Sequence, residues 1–296
     1  MKLTNYIPFI GMGFVLLLVQ LIAVALSEPL DRNDFRAFSN PEATSNVILW
    51  IAIILIFTAF IFLIIRMKKK WVIQAFIFLT VVSTLFYVFY ALFSSLLTPG
   101  INFLLTIVLS ISLTIVLYKF PEWYVIDIVG VIIGAGAASM FGISLAIGPT
   151  LLLLVLLAIY DYIAVYRTKH MIALAEGVMD LRLPILLVIP KHWKYSFLTE
   201  KFDKEEREAF FMGLGDAVMP TLLVVSAYHF VAATTLPLIG QVNLPAIGAV
   251  IGTFVGFAVL MTFVMKGKPQ AGLPFLNGGV ILGYLAGTLM AGTPLL

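Results

Sequence analysis

The stretch Phe211-Met-Gly-Leu-Gly-Asp216 sets a carboxylate inside an apolar run, with glycines at Gly213 and Gly215. A second carboxylate, Asp161, stands in the preceding apolar run, Leu157-Ala-Ile-Tyr-Asp-Tyr-Ile163. An ionised aspartate near the centre of a membrane helix costs about 2.5–3.5 kcal/mol on insertion scales, so such residues mark function. Two of them in neighbouring runs point to one shared reaction.

The rest of the chain fits a membrane setting for this pair. Of its 296 residues, 62% are hydrophobic and 11% charged, against about 45–50% and about 25% in soluble domains. The expected fold is an all-α membrane protein, a polytopic bundle of nine transmembrane helices. The absence of cysteine excludes disulfides and thiolate chemistry. His170, His192 and His229 have no metal-ligand spacing, so neither metal nor other cofactor is expected. The start, Met1-Lys-Leu-Thr-Asn-Tyr, leads into a run of about span length without a small-residue cleavage site, which predicts a retained first helix.

A spanning helix needs about 20 apolar residues. The qualifying stretches are 6–27, 46–66, 71–93, 101–119, 123–142, 145–166, 209–235, 244–265 and 273–293. With the N-terminus inside, sixteen of the 18 Lys and Arg fall inside; Arg32 and Arg36 alone fall outside. This positive-inside bias predicts a cytoplasmic N-terminus and 167–208 loop and an outer C-terminus. The chain then divides into a six-span half, 1–166, carrying Asp161; the loop, 167–208; and a three-span half, 209–296, carrying Asp216. Within the loop, 168–182 reads as an amphipathic interfacial helix. Leu183–Pro190 reads as a short extended or re-entrant piece, and 200–208 as a solvated charged approach. No internal repeat is present.

Asp161 lies about five residues from the inner end of its span and Asp216 about seven. At 1.5 Å per residue both lie about 8–10 Å below the inner boundary. Two antiparallel spans can set them side by side, where they share one proton. One carboxylate then acts as base on water while the other, protonated, polarises a carbonyl. Gly213 leaves room beside Asp216, and Pro220 deprives the Asp216 carbonyl of its helical partner. Lys266-Gly-Lys-Pro-Gln-Ala-Gly-Leu-Pro-Phe275 breaks the chain at the same depth. Irregular backbone there can hold an extended peptide by main-chain pairing. A plain helix start with proline in its first turn would read the same way. Asp127, a third acid near the inner start of the fifth span, is expected to snorkel or bond within the bundle. His229 reads as a structural histidine in an outer half-span. Trp71 and Pro121-Glu-Trp123 read as interface anchors.

Tyr160-Asp161 in one span and Gly213-Leu-Gly-Asp216 in the next resemble the paired signatures of the GxGD intramembrane aspartyl proteases. Nine spans, a long loop between the acids and Ala271-Gly-Leu-Pro274 are similar to the presenilin and signal peptide peptidase branch. The resemblance implies catalytic Asp161 and Asp216. It also implies substrate contacts at Tyr160, Gly213, Leu214, Gly215, Ala271, Gly272, Leu273 and Pro274. One departure stands out: where the family has Pro-Ala-Leu, this chain has Ala271-Gly272-Leu273. The basic loop favours the presenilin orientation, and the short chain looks like a microbial single-chain homologue. The implied partners are single-span transmembrane peptides and the lipid bilayer. Neither nucleic acid nor an obligatory protein partner is expected, and self-assembly is left open. Two other functions fit buried acids. A proton-coupled transporter would need a repeat or buried basic partners, and a prepilin-type peptidase a different set of spans.

Overall fold

The computed structural model describes residues 7–67, 70–167, 186–192, 195–197, 208–232, 243–265 and 270–295. Within them the chain forms nine α-helices: α1 (Ile7–Arg32), α2 (Ser45–Arg66), α3 (Lys70–Phe93), α4 (Pro99–Lys119), α5 (Trp123–Gly142), α6 (Ile147–Tyr162), α7 (Leu214–Phe230), α8 (Leu244–Val264) and α9 (Leu273–Ala291). A π-helical turn, Ile163–Arg167, extends α6. Seven of the helices are long and apolar enough to cross a membrane. The apolar stretch of α2 and the whole of α7 are shorter. The chain is a multi-pass membrane protein. The proposed interfacial helix at 168–182 and nearly all of the charged approach at 200–208 lie outside the described residues.

The strongest departure from expectation is at the start of the seventh span. Residues expected to open a helix at 209 form a strand instead, β2 (Ala209–Gly213), and α7 begins only at Leu214. β2 pairs antiparallel with β1 (Leu186–Pro190), from Leu186 opposite Gly213 to Pro190 opposite Ala209. Residues facing each other across such a pair alternate between exchanging hydrogen bonds and turning their amides away. The Lys191 N–H donates to the Glu208 carbonyl at 2.9 Å, which sets the phase. Leu187/Met212 and Ile189/Phe210 are then the bonded pairs. Pro190, which has no N–H, falls at an outward position where the ladder loses nothing.

The core is centred on α5, the span with the largest buried share, 61%. Its Gly, Ala and Ser residues let α1, α3 and α7 approach closely. One apolar cluster joins α1, α5, α7 and α8 through Leu16, Val19, Ala135, Val218, Phe257 and Leu260. A second joins α6, α7, α8 and α9 through Leu154, Leu223, Ala249 and Val280. α8 and α9 form a hairpin with glycines facing glycines. Gly248, Gly252 and Gly256 on one helix oppose Gly287, Gly283 and Gly279 on the other. A Cβ added at Gly252 would lie 2.7 Å from the Gly283 Cα. Close backbone approach through small residues is a packing mode suited to lipid, where apolar side chains gain little by leaving the solvent.

Candidate active site

Four segments converge where β2 becomes α7. Asp161 lies in the last turn of α6 and is buried. Asp216 lies in the first turn of α7, closer to the helix start than the expected seven residues, because β2 occupies what had been read as helix. Asp216 is partly buried and Gly213 is the helix N-cap. The third segment is the turn Gln270–Gly272, and the fourth is β2 itself.

Main-chain groups fix both carboxylates. The Leu273 N–H donates to Asp161 Oδ2 at 3.1 Å, and the Gly272 N–H also bonds this carboxylate. These amides belong to the opening of α9, whose first N–H groups have no helical acceptor. Asp161 therefore supplies what the helix start lacks. Asp216 accepts the Gly213 N–H, which the strand turns away from β1. Gly272 lies against Asp216: a Cβ there would come within 2.9 Å of both carboxylate oxygens. A single glycine thus bonds one aspartate through its amide and touches the other through its missing side chain. The two acids are close enough to interact electrostatically.

A tyrosine outside the expected set braces the turn. Tyr166 Oη donates to Gln270 Oε1 at 2.6 Å and lies 3.4 Å from the Ala271 N–H. The π-helical turn carries Tyr166, and such turns are frequent at functional sites. One turn further up, Asn277 Nδ2 donates to the Leu154 carbonyl at 2.9 Å and ties α9 to α6. A cavity of about 110 Å³ opens beside Asp216 and Gly272, walled by Met12 of α1, Phe210 and Met212 of β2, and Phe257 and Met261 of α8.

The other expected contacts divide. Gly215 is exposed with open space around its Cα, and Ala271 is buried. Pro274 stands in the first turn of α9. Leu214 turns back onto α5, where a Cβ at Gly134 would lie 3.0 Å from its Cδ1. The Leu273 side chain packs into the cluster that contains Leu157 and Leu222. Tyr160 precedes Asp161 on a partly buried face. His229 lies far from the site, 4.0 Å from Asp31 at the opposite end of α7. Glu122, expected as part of an interface anchor, accepts the Ser196 hydroxyl at 2.7 Å and the Phe197 N–H at 3.0 Å. The β1–β2 pairing was missed as such. Its available signal was an aliphatic run between Pro184 and Pro190, too short to span, beside Phe210-Phe-Met before a glycine.

The family model for signal-peptide peptidase, presenilin aspartyl protease matches residues 12–293. Two solved structures of a presenilin family intramembrane aspartate protease, in C222 and P2 crystals, are similar to the chain. The first is 39% identical with a TM-score of 0.70, the second 41% with 0.72. Each match covers 97% of this chain and 100% of the other. No curated protein sequence matches significantly. With a family model spanning nearly its whole length and paired aspartates meeting at one glycine, the chain belongs to the signal-peptide peptidase and presenilin family of intramembrane aspartyl proteases.

Proposed function

We propose that Asp161 and Asp216 are the catalytic pair of this intramembrane protease, and that they cleave a transmembrane peptide held extended along β2. The observation that carries this reading is the Gly272–Leu273 main chain lying against both carboxylates. Two carboxylates so close hold one proton between them. The ionised member takes a proton from water as its oxygen attacks the scissile carbonyl carbon. The protonated member donates to the carbonyl oxygen. The tetrahedral diol then collapses: the C–N bond breaks, the nitrogen takes a proton from the dyad, and acid and amine leave.

A helical substrate hides its carbonyls in i to i−4 bonds, and opening it in lipid exposes groups that cost several kcal/mol each if unpaired. β2 supports a role as replacement partner, since it is already extended and ends at Gly213, whose N–H bonds Asp216. The Leu273 N–H is taken by Asp161, which favours β2 over the 272–273 turn as the pairing edge. The 110 Å³ cavity, walled by Met and Phe, suits an apolar substrate side chain. Gly213 and Gly272 contribute backbone shape to this cavity, while Leu214 packs on α5. Charge placement supports a cytoplasmic N-terminus and 167–208 loop. The chain needs no obligatory partner protein in this reading.

The test is cleavage of a single-span peptide by purified protein in lipid, with products identified by mass spectrometry. Asp161→Asn and Asp216→Asn should each lower turnover at least about 10³-fold, with folding retained by thermal melting. Substantial cleavage by either variant would overturn the dyad. Because the chain has no cysteine, single cysteines introduced at 192 and 295 can be labelled from one side of sealed vesicles. Labelling of both from the same side would overturn the orientation.

A further inference from the structure

Among the described residues, Asp127 is the one other acid buried inside a span, and dyad chemistry leaves it without a task. It lies on α5, in the helix's second turn, and its Oδ1 accepts the Val188 N–H at 2.7 Å. Val188 is the middle residue of β1, opposite Phe211, a pair whose amides turn away from the ladder. Asp127 therefore holds the outer edge of β1. The same face of α5 continues through Gly130 and Gly134, three and seven residues on. A Cβ at Gly130 would lie 3.2 Å from Leu187 of β1, and one at Gly134 3.0 Å from Leu214 of α7. This face thus seats the strand and the helix start together.

At the opposite edge of the two-stranded sheet, the Gly213 N–H points outward into Asp216. The sheet is gripped by a carboxylate on each side: Asp127 at the β1 edge and Asp216 at the β2 edge. We propose that Asp127 is a positioning residue for Asp216. Its oxygen fixes β1 through Val188, the β1–β2 ladder fixes Gly213, and the Gly213 amide orients the Asp216 carboxylate. With Val188 engaged and Pro190 lacking an N–H, β1 is closed to further strand pairing at those two positions. An added strand is left the β2 edge, beside the dyad. The inference rests on the reading of Asp216 as catalytic.

What Asp127 contributes here is an acceptor oxygen, so Asp127→Asn should keep kcat within about threefold of wild type. Asp127→Ala removes the acceptor. It should lower kcat at least about tenfold with KM changed less than about twofold, since a small misplacement of a catalytic group is enough for such a loss. Val188→Pro deletes the donor at an outward position and should lower kcat by a similar factor. It should add little further loss in the Asp127→Ala background, because the two changes break one contact. Full activity in Asp127→Ala, loss of activity in Asp127→Asn equal to that in Asp127→Ala, or additive losses in the double variant would each overturn the proposal. Hydrogen exchange of the Val188 amide, read on ¹⁵N-valine protein in lipid, needs no alanine variant to fold. It should be protected in wild type and in Asp127→Asn; rapid exchange in wild type would remove the contact on which the proposal stands. This readout is independent of catalysis, so failure of the dyad and failure of the positioning contact are told apart.

Discussion

Gly272 is where residue chemistry is tightest. The atoms a Cβ would meet there are the tip of the Asp216 side chain, which can rotate, and not a rigid backbone. Gly272→Ala should therefore keep the fold, since a carboxylate can turn by a few tenths of an ångström at small cost, yet lower turnover about three- to tenfold, because the group that turns is the proposed catalytic one. Gly272→Val adds atoms that rotation cannot clear, and turnover should fall at least about tenfold with the fold kept. Equal activity in the two variants would contradict the contact. The pair itself predicts a bell-shaped pH profile. Falling pH protonates both carboxylates and removes the base; rising pH ionises both and removes the acid. The two limbs belong to the pair, and a flat rate over a range where the fold survives would sink the shared-proton scheme. Both acids were legible in the sequence because an ionisable group in an apolar run is conspicuous. The Asp127–Val188 contact was not, because the two residues are 61 apart and nothing local marks a backbone amide as needing an acceptor.

At the scale of elements, the informative junction is Gly213–Leu214, where an extended chain becomes a helix within one residue. The sequence reads Phe210-Phe-Met as the start of a span, since these residues are as apolar as those that follow. A five-residue strand continuous with a helix has no period of its own to betray it. What decides it is β1, docked on α5 by Asp127 and pairing antiparallel with the incoming chain. Most other helix ends were readable to within about two residues, because long apolar runs bounded by Lys, Arg, Pro and Gly leave little freedom; α1 instead runs five residues past the expected 27, to Arg32, and α7 stops five short of the expected 235, at Phe230. If β2 is the template for an opened substrate, opening should limit the reaction. Peptides differing only by glycine or proline a few positions from the scissile bond should be cut several-fold faster, since these residues weaken a helix by about 1 and about 3 kcal/mol. Equal rates across such a series would argue that opening is not part of the barrier.

For the molecule as a whole, the nine helices of the described residues form a scaffold around α5 whose last two helices are locked by glycine against glycine. Gly252→Ala places a methyl group against the Gly283 backbone, which cannot yield as a side chain can. It should destabilise the protein by about 1–3 kcal/mol, seen as a lower melting temperature in detergent, with the dyad untouched in sequence. An unchanged melting temperature would mean that the hairpin opens without penalty. The number and order of the helices were legible because apolar runs of about span length stand out between charged and broken segments. The glycine seam was not, because it depends on which faces of two helices meet.

That seam has a bearing on biosynthesis. α8 and α9 are neighbours along the chain and pack chiefly through their own backbones, so the hairpin can form as it leaves the ribosome and dock as a unit. Both aspartates are translated before it, yet Gly272 and Leu273 arrive only with it. A nascent chain stopped before residue 270 would carry the two carboxylates without the turn that sits between them. Such a chain would cross the membrane as a harmless precursor, and the capacity to cut neighbouring helices would be switched on by the closing step of its own folding.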